Sequence, residues 1–399
     1  VLRLSTVTFA CHSAACRPPK SGGTGGSLPT PAGGSVPEKF DMMSGHTLFE
    51  AGIDSIVPID RSGSQSARAM EVNDAMHNTD TRAEAKRRSE AAVTDEFLKD
   101  PKMAAHVRDL LDSEVRTDMV EEVIRGLSES GMHRLVEGYM ADGRTLLDAN
   151  GVPVEKPTLR TLISRVIETG NDPHKLWGMS LTLAQVYVND WEKYSADLDT
   201  TNPERMVAQL LVRSMIKGWA ETSIETATAA LNQGAAAAVH GVPVTAALRK
   251  KIDKVLGDRP DLTVTDASRE MRQGLVRAEY AVTQRFLDEA LGPKVKTVLV
   301  LRGVANQHKT AEVGDVVDVV THPLSSWTIS RVTAVSFAKM RSTSPAGRKK
   351  SVVLAMAVPR EMIQSTPFTG RGCLNEWEVV LIGRPSQAEV QVKGGNGEW

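Results

Sequence analysis

The chain has 399 residues, 41% apolar, 24% charged and 4% aromatic, with 48 basic and 49 acidic side chains. That length suits two or three domains, and the composition is that of a globular chain, not a disordered or collagenous one. Near-zero charge argues against a protein whose main task is coating nucleic acid. Three cysteines cannot staple a small secreted scaffold, and no apolar run approaches the roughly 18–20 residues of a membrane-spanning helix.

The opening, VLRLSTVTFACHSAACRPPK, imitates a secretion signal only weakly, because its apolar run is short and broken by Ser and Thr. Cys11-His12 and Cys16 lack the second cysteine pair that would complete a zinc cluster. Residues 17–40, RPPKSGGTGGSLPTPAGGSVPEKF, hold almost no large apolar group and read as linker, so 1–40 is expected to be a disordered tail. SGGTGG lacks the preceding strand and the Gly-Lys-Ser/Thr ending of a phosphate loop.

Residues 41–257 read as helical, with a subdomain break expected near 150–157 or 170–173. The spacing predicts helices over Ala83–Leu98, Ala104–Gly126, Thr158–Thr169, Leu181–Ser195, Pro203–Asn232 and Val244–Leu256. Val207, Leu210, Leu211, Met215 and Trp219 recur on one helix face, which marks core. Asn202-Pro203-Glu204 is a capping residue followed by Pro at the first helical position. Gly170-Asn171-Asp172-Pro173 and Gly241-Val242-Pro243 are stops. The helix Thr265–Ala290 is expected to pack on a sheet that follows it.

After Gly292-Pro293 the apolar period changes. Val295–Leu301, Asp315–Val320, Ser351–Val358 and Glu376–Ile382 are short and Val-rich, with turns between them, and predict strands. The fold class is therefore α+β: a mostly helical part, then a mixed domain over 258–399.

Three segments of that domain belong together. In VLVLRGV, Arg302 ends an apolar strand and Gly303 follows; a planar fork beside bare backbone suits a pyrophosphate. In PLSSWTISRVTAVSFA, Ser326 and Thr328 share one strand face, and a helix follows through Val332, Ala334, Val335 and Phe337. In FTGRGCLNEWEVVLIG, Glu376 and Glu378 are two apart, which on a strand puts both carboxylates on one side and Trp377 on the other. Adjacent carboxylates repel unless a cationic ligand or a function needs them. Cys373 has no evident His partner and reads as a packing residue. His308 and His322 flank the proposed cleft as loop histidines, and Gly347-Arg348-Lys349-Lys350 reads as a solvated hairpin tip.

Arg-Gly on a first strand, Ser-x-Ser/Thr on a later one and Glu-x-Glu-Val-Val-Leu after a Gly-rich turn resemble the mono-ADP-ribosyltransferases. The likeness is to the branch with binary-toxin enzyme subunits and the vertebrate arginine-specific ecto-enzymes. Phe337 lies eleven positions after Ser326, as in that family, while Thr328 replaces the usual final Ser. AEYAVTQRFLDEALGPKVKTVLVLRG also resembles transferase domains attached to bacteriophage minor head proteins, and the likeness covers roughly Thr265–Arg384.

The resemblance implies two packed antiparallel-rich sheets with flanking helices, and NAD+ as co-substrate without a metal. It implies that Glu378 holds the ribose 2′-hydroxyl and stabilises an oxocarbenium-like transition state. Ser326 would orient Glu378, and Arg302 would grip the NAD+ phosphates. Gly303 and Thr328 would line the same pocket. Glu376 would position an arginine of a target protein, and Phe368, in the loop Ser365–Asn375, would contact that protein. Partners would be that target and other virion proteins, with no nucleic acid and no membrane span. The setting would be a virion or the cytoplasm of a bacterial host. The alternatives are a virion structural protein with a silent transferase domain, and an NAD glycohydrolase.

Overall fold

The fold was analysed in a computed structural model, which describes residues 79–114, 117–127, 158–169, 198–218, 226–260, 262–292, 295–304, 312–319, 321–340, 351–370, 376–384 and 386–393. These belong to one compact unit, His46–Trp399. The expected tail, the helix Leu181–Ser195, the stop at 170–173 and Trp219 lie outside the described residues, as do the cysteines, His308 and the basic run 347–350.

Helices α1 (Thr79–Leu98), α2 (Pro101–Asp112), α3 (Asp118–Leu127), α4 (Leu159–Thr169), α5 (Pro203–Gly218), α6 (Ala227–His240), α7 (Ala246–Gly257) and α8 (Asp266–Leu291) come first. Their starts follow capping chemistry. Asn202 Oδ1 accepts from Arg205 N (3.1 Å), and Thr226, Thr245 and Thr265 each accept from the amide three residues on. Gly241, in the left-handed region (φ 63°), ends α6.

Two expected helices are each divided. Ala104–Gly126 breaks after Asp112, where Ser113 turns extended (φ −72°, ψ 129°). Thr117 then bridges Thr263, and its hydroxyl accepts from Val120 N at 3.3 Å. Ser and Thr offer the backbone such alternatives to helix, and continuous apolar spacing does not reveal the break. Pro203–Asn232 likewise divides into α5 and α6, the second opened by the Thr226 cap.

The remaining elements are β1 (Thr297–Val304), β2 (Val316–Val319), β3 (Leu324–Thr328), α9 (Arg331–Met340), β4 (Val352–Pro359), β5 (Ile363–Ser365), β6 (Glu378–Ile382) and β7 (Ser386–Lys393). Among the described residues they form one seven-stranded sheet in the order β2-β7-β4-β1-β3-β6-β5, with every pairing antiparallel. The architecture is α+β. A single sheet replaces the two packed sheets that the family likeness implied, and it has one weak joint. β1 pairs β4 over its whole length but pairs β3 only at Leu301↔Thr328.

Both sheet faces are covered. On one, Val300, Leu354, Trp327 and Leu381 pack with Leu287 and Leu291 of α8. On the other, α9 sets Ala334 and Ala338 on Leu301, Val353 and Ala355. Leu324 and Val380 on this second face join the helical core around Phe97, Leu111, Leu210 and Leu275. Burying a Leu or Val this fully contributes about 1.5–3 kcal/mol.

Candidate active site

The three motif-bearing strands, far apart in sequence, lie side by side as β1, β3 and β6. Pairing alternates along β3. Ile329 N donates to Trp377 O (3.2 Å) and Gly383 N donates to Pro323 O (2.9 Å), so the odd-numbered residues of β3 turn their main chain toward β6. The even-numbered ones therefore turn theirs toward β1. Thr328 meets Leu301 there. Leu324, opposite Ile382 of β6, turns its main chain to α6, where both its N–H (2.9 Å) and its C=O (3.0 Å) bond the side-chain amide of Gln233. Between them, the main chain of Ser326 points into the same seam. On β1, Gly303 stands where the next ladder partner of Ser326 would be, yet among the described residues no ladder pair follows Leu301–Thr328.

The pleat sorts the side chains. Thr328 lies opposite Glu378, and Ser326 opposite Val380, so the two hydroxyls and the Glu378 carboxylate share a face. Thr328 and Glu378 are 4% and 6% exposed, and Ser326 is half-buried. The hydroxyl directly across from Glu378 thus belongs to Thr328, with Ser326 one cross-strand step away. Arg302 takes the other face. Its Nη1 donates to Ser325 Oγ at 2.5 Å, and its guanidinium carbon lies 5.8 Å from the Trp327 ring centroid, a cation–π distance. Arg302 of β1 and Glu378 of β6 are thus two strands apart and on opposite faces, with β3 between them.

Gly303 has a packing reason as well. A Cβ there would come within 1.9 Å of Ala334 O and 2.6 Å of Ala338 N, because α9 crosses this strand at backbone contact. Bare backbone at Gly303 therefore admits α9 on one side, while its N–H and C=O face the seam.

Glu376 and Glu378 do not share a strand, contrary to the alternation expected from sequence. β6 begins at Glu378, and Trp377 adopts a left-handed backbone (φ 51°), uncommon and costly for a bulky residue. Two bonds from the end of β3 hold this turn. Ile329 N donates to Trp377 O (3.2 Å), and Thr328 Oγ1 donates to Glu376 O (2.6 Å) while accepting from Ser330 N (3.0 Å). Burial pushes the half-buried Glu376 carboxyl above the usual carboxylate range. Phe368 is half-buried against Phe286 of α8, centroids 5.8 Å apart; most of the loop beyond it, 371–375, lies outside the described residues.

Ser325 and Gln233 had gone unassigned in the sequence. Ser325 shares the parity of Trp327, but which parity faces Arg302 depends on register. Gln233 carried a usable signal: Asn232-Gln233 interrupts an Ala-rich apolar helix, where a buried amide needs a partner. Among the described residues no group of three or more His, Cys, Asp or Glu is placed to hold a metal ion. No described helix is long and apolar enough to cross a membrane.

Comparison of the chain with protein-family models, with curated proteins and with solved structures gives no match. The donors around the seam (a guanidinium, hydroxyls and outward main-chain groups) are of the kind that bind phosphate and sugar oxygens.

Proposed function

We propose that the chain transfers ADP-ribose from NAD+ to an arginine of another protein and releases nicotinamide. The observation that carries this is the adjacency of β1, β3 and β6 around an unpaired seam. Strand pairing sets a guanidinium on one face, and two hydroxyls and a buried carboxylate on the other, of three consecutive strands from distant segments. NAD+ supplies a ribose whose bond to a cationic ring breaks to leave neutral nicotinamide and positive charge on the sugar.

Glu378 stabilises that charge more than the neutral ground state, which is what lowers a barrier. Thr328 fixes the turn that carries Glu376 and stands across from Glu378; Ser326 adds a second hydroxyl on the same face. Arg302 holds phosphate oxygens at the seam. Glu376 accepts hydrogen bonds from the target guanidinium and takes its proton as the new bond to the ribose forms. A carboxylate with a raised pKa is suited to receiving that proton.

The test uses NAD+ labelled in its adenylate part, with the full chain and a bacterial lysate. Label enters protein and is released by an arginine-ADP-ribose hydrolase. Glu378→Gln lowers transfer by about 100-fold or more and lowers nicotinamide release with it. Glu376→Gln loses arginine transfer while keeping part of the hydrolysis. Nicotinamide release without labelled protein would make the chain an NAD glycohydrolase. Neither signal, with the chain inside purified virus particles, would make it a structural component.

A further inference from the structure

Helix α6 is anchored on its helical side. Thr228 donates to the buried Glu122 (2.7 Å), and Asn232 accepts from Nη1 of the buried Arg272 (3.0 Å). The next residue, Gln233, is 2% exposed and gives both ends of its amide to Leu324 of β3. Oε1 accepts from Leu324 N (2.9 Å), and Nε2 donates to Leu324 O (3.0 Å). Further along, His240 Nε2 lies 2.7 Å from Gln364 Oε1 on β5. Gln364 Nε2 donates to Val276 O (3.0 Å) and Glu279 Oε2 (2.9 Å), so its Oε1 accepts and His240 donates. The strands run β3-β6-β5 here, and two strand spacings span about 10 Å. From Gln233 to His240 the helix also rises about 10 Å. α6 is therefore a crossbar bonded to β3 near one end and to β5 at the other. Val380 of β6, the strand between, shares a core with Ala235 and Ala236 of the helix.

We infer that Gln233 is a positioning residue: its amide clamps the start of β3 in place of a strand and keeps β3 from pairing further with β1, so that the helical region holds the seam open. The bearing of this clamp on NAD+ rests on the proposed function; the clamp itself does not.

A side-chain amide carries the same donor and acceptor as a peptide unit. Leu324 thus receives from Gln233 the pair of bonds that a strand neighbour would give. It receives them on the edge that β3 turns to β1, where the described ladder has its one pair at Leu301↔Thr328. Continuing that ladder would pair Gly303 with Ser326 and bring Leu324 next. Leu324 is 1% exposed, and buried main-chain groups are rarely left unpaired. Its N–H and C=O must therefore be served by α6 or by a longer ladder. The amide serves them, from a helix anchored elsewhere. Ser326 lies between the clamp and the Thr328 pair, so both ends of the seam are fixed. Removing the amide orphans two buried groups, and the strand on that side of β3 is β1.

The test is amide hydrogen exchange, read by NMR in the full chain, for wild type and Gln233→Met, which keeps the side chain's length but not its bonds. In the variant Leu324 N–H exchanges about 10- to 100-fold faster. Ser326 N–H exchanges more slowly as its pairing with Gly303 forms, and the β1–β4 ladder is unchanged. An unaltered Leu324 amide overturns the clamp. So does faster exchange spread evenly over the sheet, which a merely structural role would give, and so does an unaltered Ser326 amide. The wild type gives a second reading that stands even if the variant does not fold. Its Gln233 Nε2 protons exchange at least about 10-fold more slowly than those of exposed glutamines, and equal rates overturn the clamp. Nicotinamide release measured in parallel separates the two proposals. Gln233→Met raises KM for NAD+ about 10-fold with a smaller change in kcat, because the seam binds while Glu378 stands on β6. No release by the wild type removes the transferase and leaves the clamp. Unchanged KM in a variant whose Ser326 amide has become protected removes the clamp from the site.

Discussion

Two arginines set the helical core and the sheet seam apart. Arg272 of α8 is 2% exposed, and each of its nitrogens is spoken for. Nε bonds Asp118 (3.0 Å), Nη1 bonds Asn232 (3.0 Å) and Nη2 bonds Glu122 (2.8 Å). Arg302 is half-buried at a strand end, beside the Ser325 hydroxyl and the Trp327 ring. A charge sealed between two carboxylates acts on architecture, since moving any partner leaves an uncompensated ion in the core. A half-buried charge at a strand end stays within reach of solvent, and so of a ligand.

The largest effect expected is at the first arginine. Arg272→Met strands Asp118 and Glu122 in the core and lowers unfolding free energy by on the order of 3–5 kcal/mol. Arg302→Met costs less than about 1 kcal/mol. Urea unfolding of both variants decides the matter, and equal losses would break the contrast. Glu122 sharpens it. Burial alone would raise its pKa, but the charges of Arg272 and Arg125 and the bond from Ser214 outweigh that and hold it at about 2. A folded pKa below the ordinary 4.5 means that the unfolded chain binds more protons between those values. The contribution, on the order of 3 kcal/mol, is whole above about pH 4.5 and fades as pH falls toward 2. Unfolding midpoints measured across that window should fall steeply for the wild-type chain and more gently for Glu122→Gln.

The same contrast marks what the sequence discloses. α8 was legible almost to the residue, because a capping Thr265 and a terminal Gly292 bound a long amphipathic run. The Val-rich strands were legible as runs of apolar β-formers. β5 was not, having three residues, and neither was β7, whose SQAEVQVK is mostly polar. At the site, residue types were readable but facing was not. Whether Ser326 or Thr328 opposes Glu378, and whether Arg302 shares their face, is decided by strand register, a long-range property. Glu376 left the strand because Trp377 takes a left-handed turn held by hydrogen bonds from β3, which no local pattern announces.

Gly303 tests whether the seam tolerates crowding as the core does not. Gly303→Ala drives a Cβ into the backbone of α9, and overpacking of this kind costs about 1–3 kcal/mol. Neither Ala334 O nor Ala338 N can swing aside as a side-chain tip would, so the helix itself must shift. Thermal unfolding measures the cost, and an unchanged midpoint would mean that α9 is loosely seated.

The smallest effect has the opposite sign to that of Glu122. Burial raises the folded pKa of Glu376. The native chain therefore holds this proton more tightly than the unfolded chain does, and stability falls as pH rises from the ordinary carboxylate value through the folded one. At neutral pH the ionised side chain works against the fold. Glu376→Gln should therefore gain stability, by less than about 1 kcal/mol because the group is only half-buried, and the gain should vanish below about pH 4, where the carboxyl is protonated in both states. Urea midpoints at pH 7.5 and pH 4 check it, and loss of stability at pH 7.5 would show that Glu376 is held by a favourable contact. A residue that costs the fold something at neutral pH, set on a turn that is itself strained, is more readily understood as serving a ligand than as serving the core.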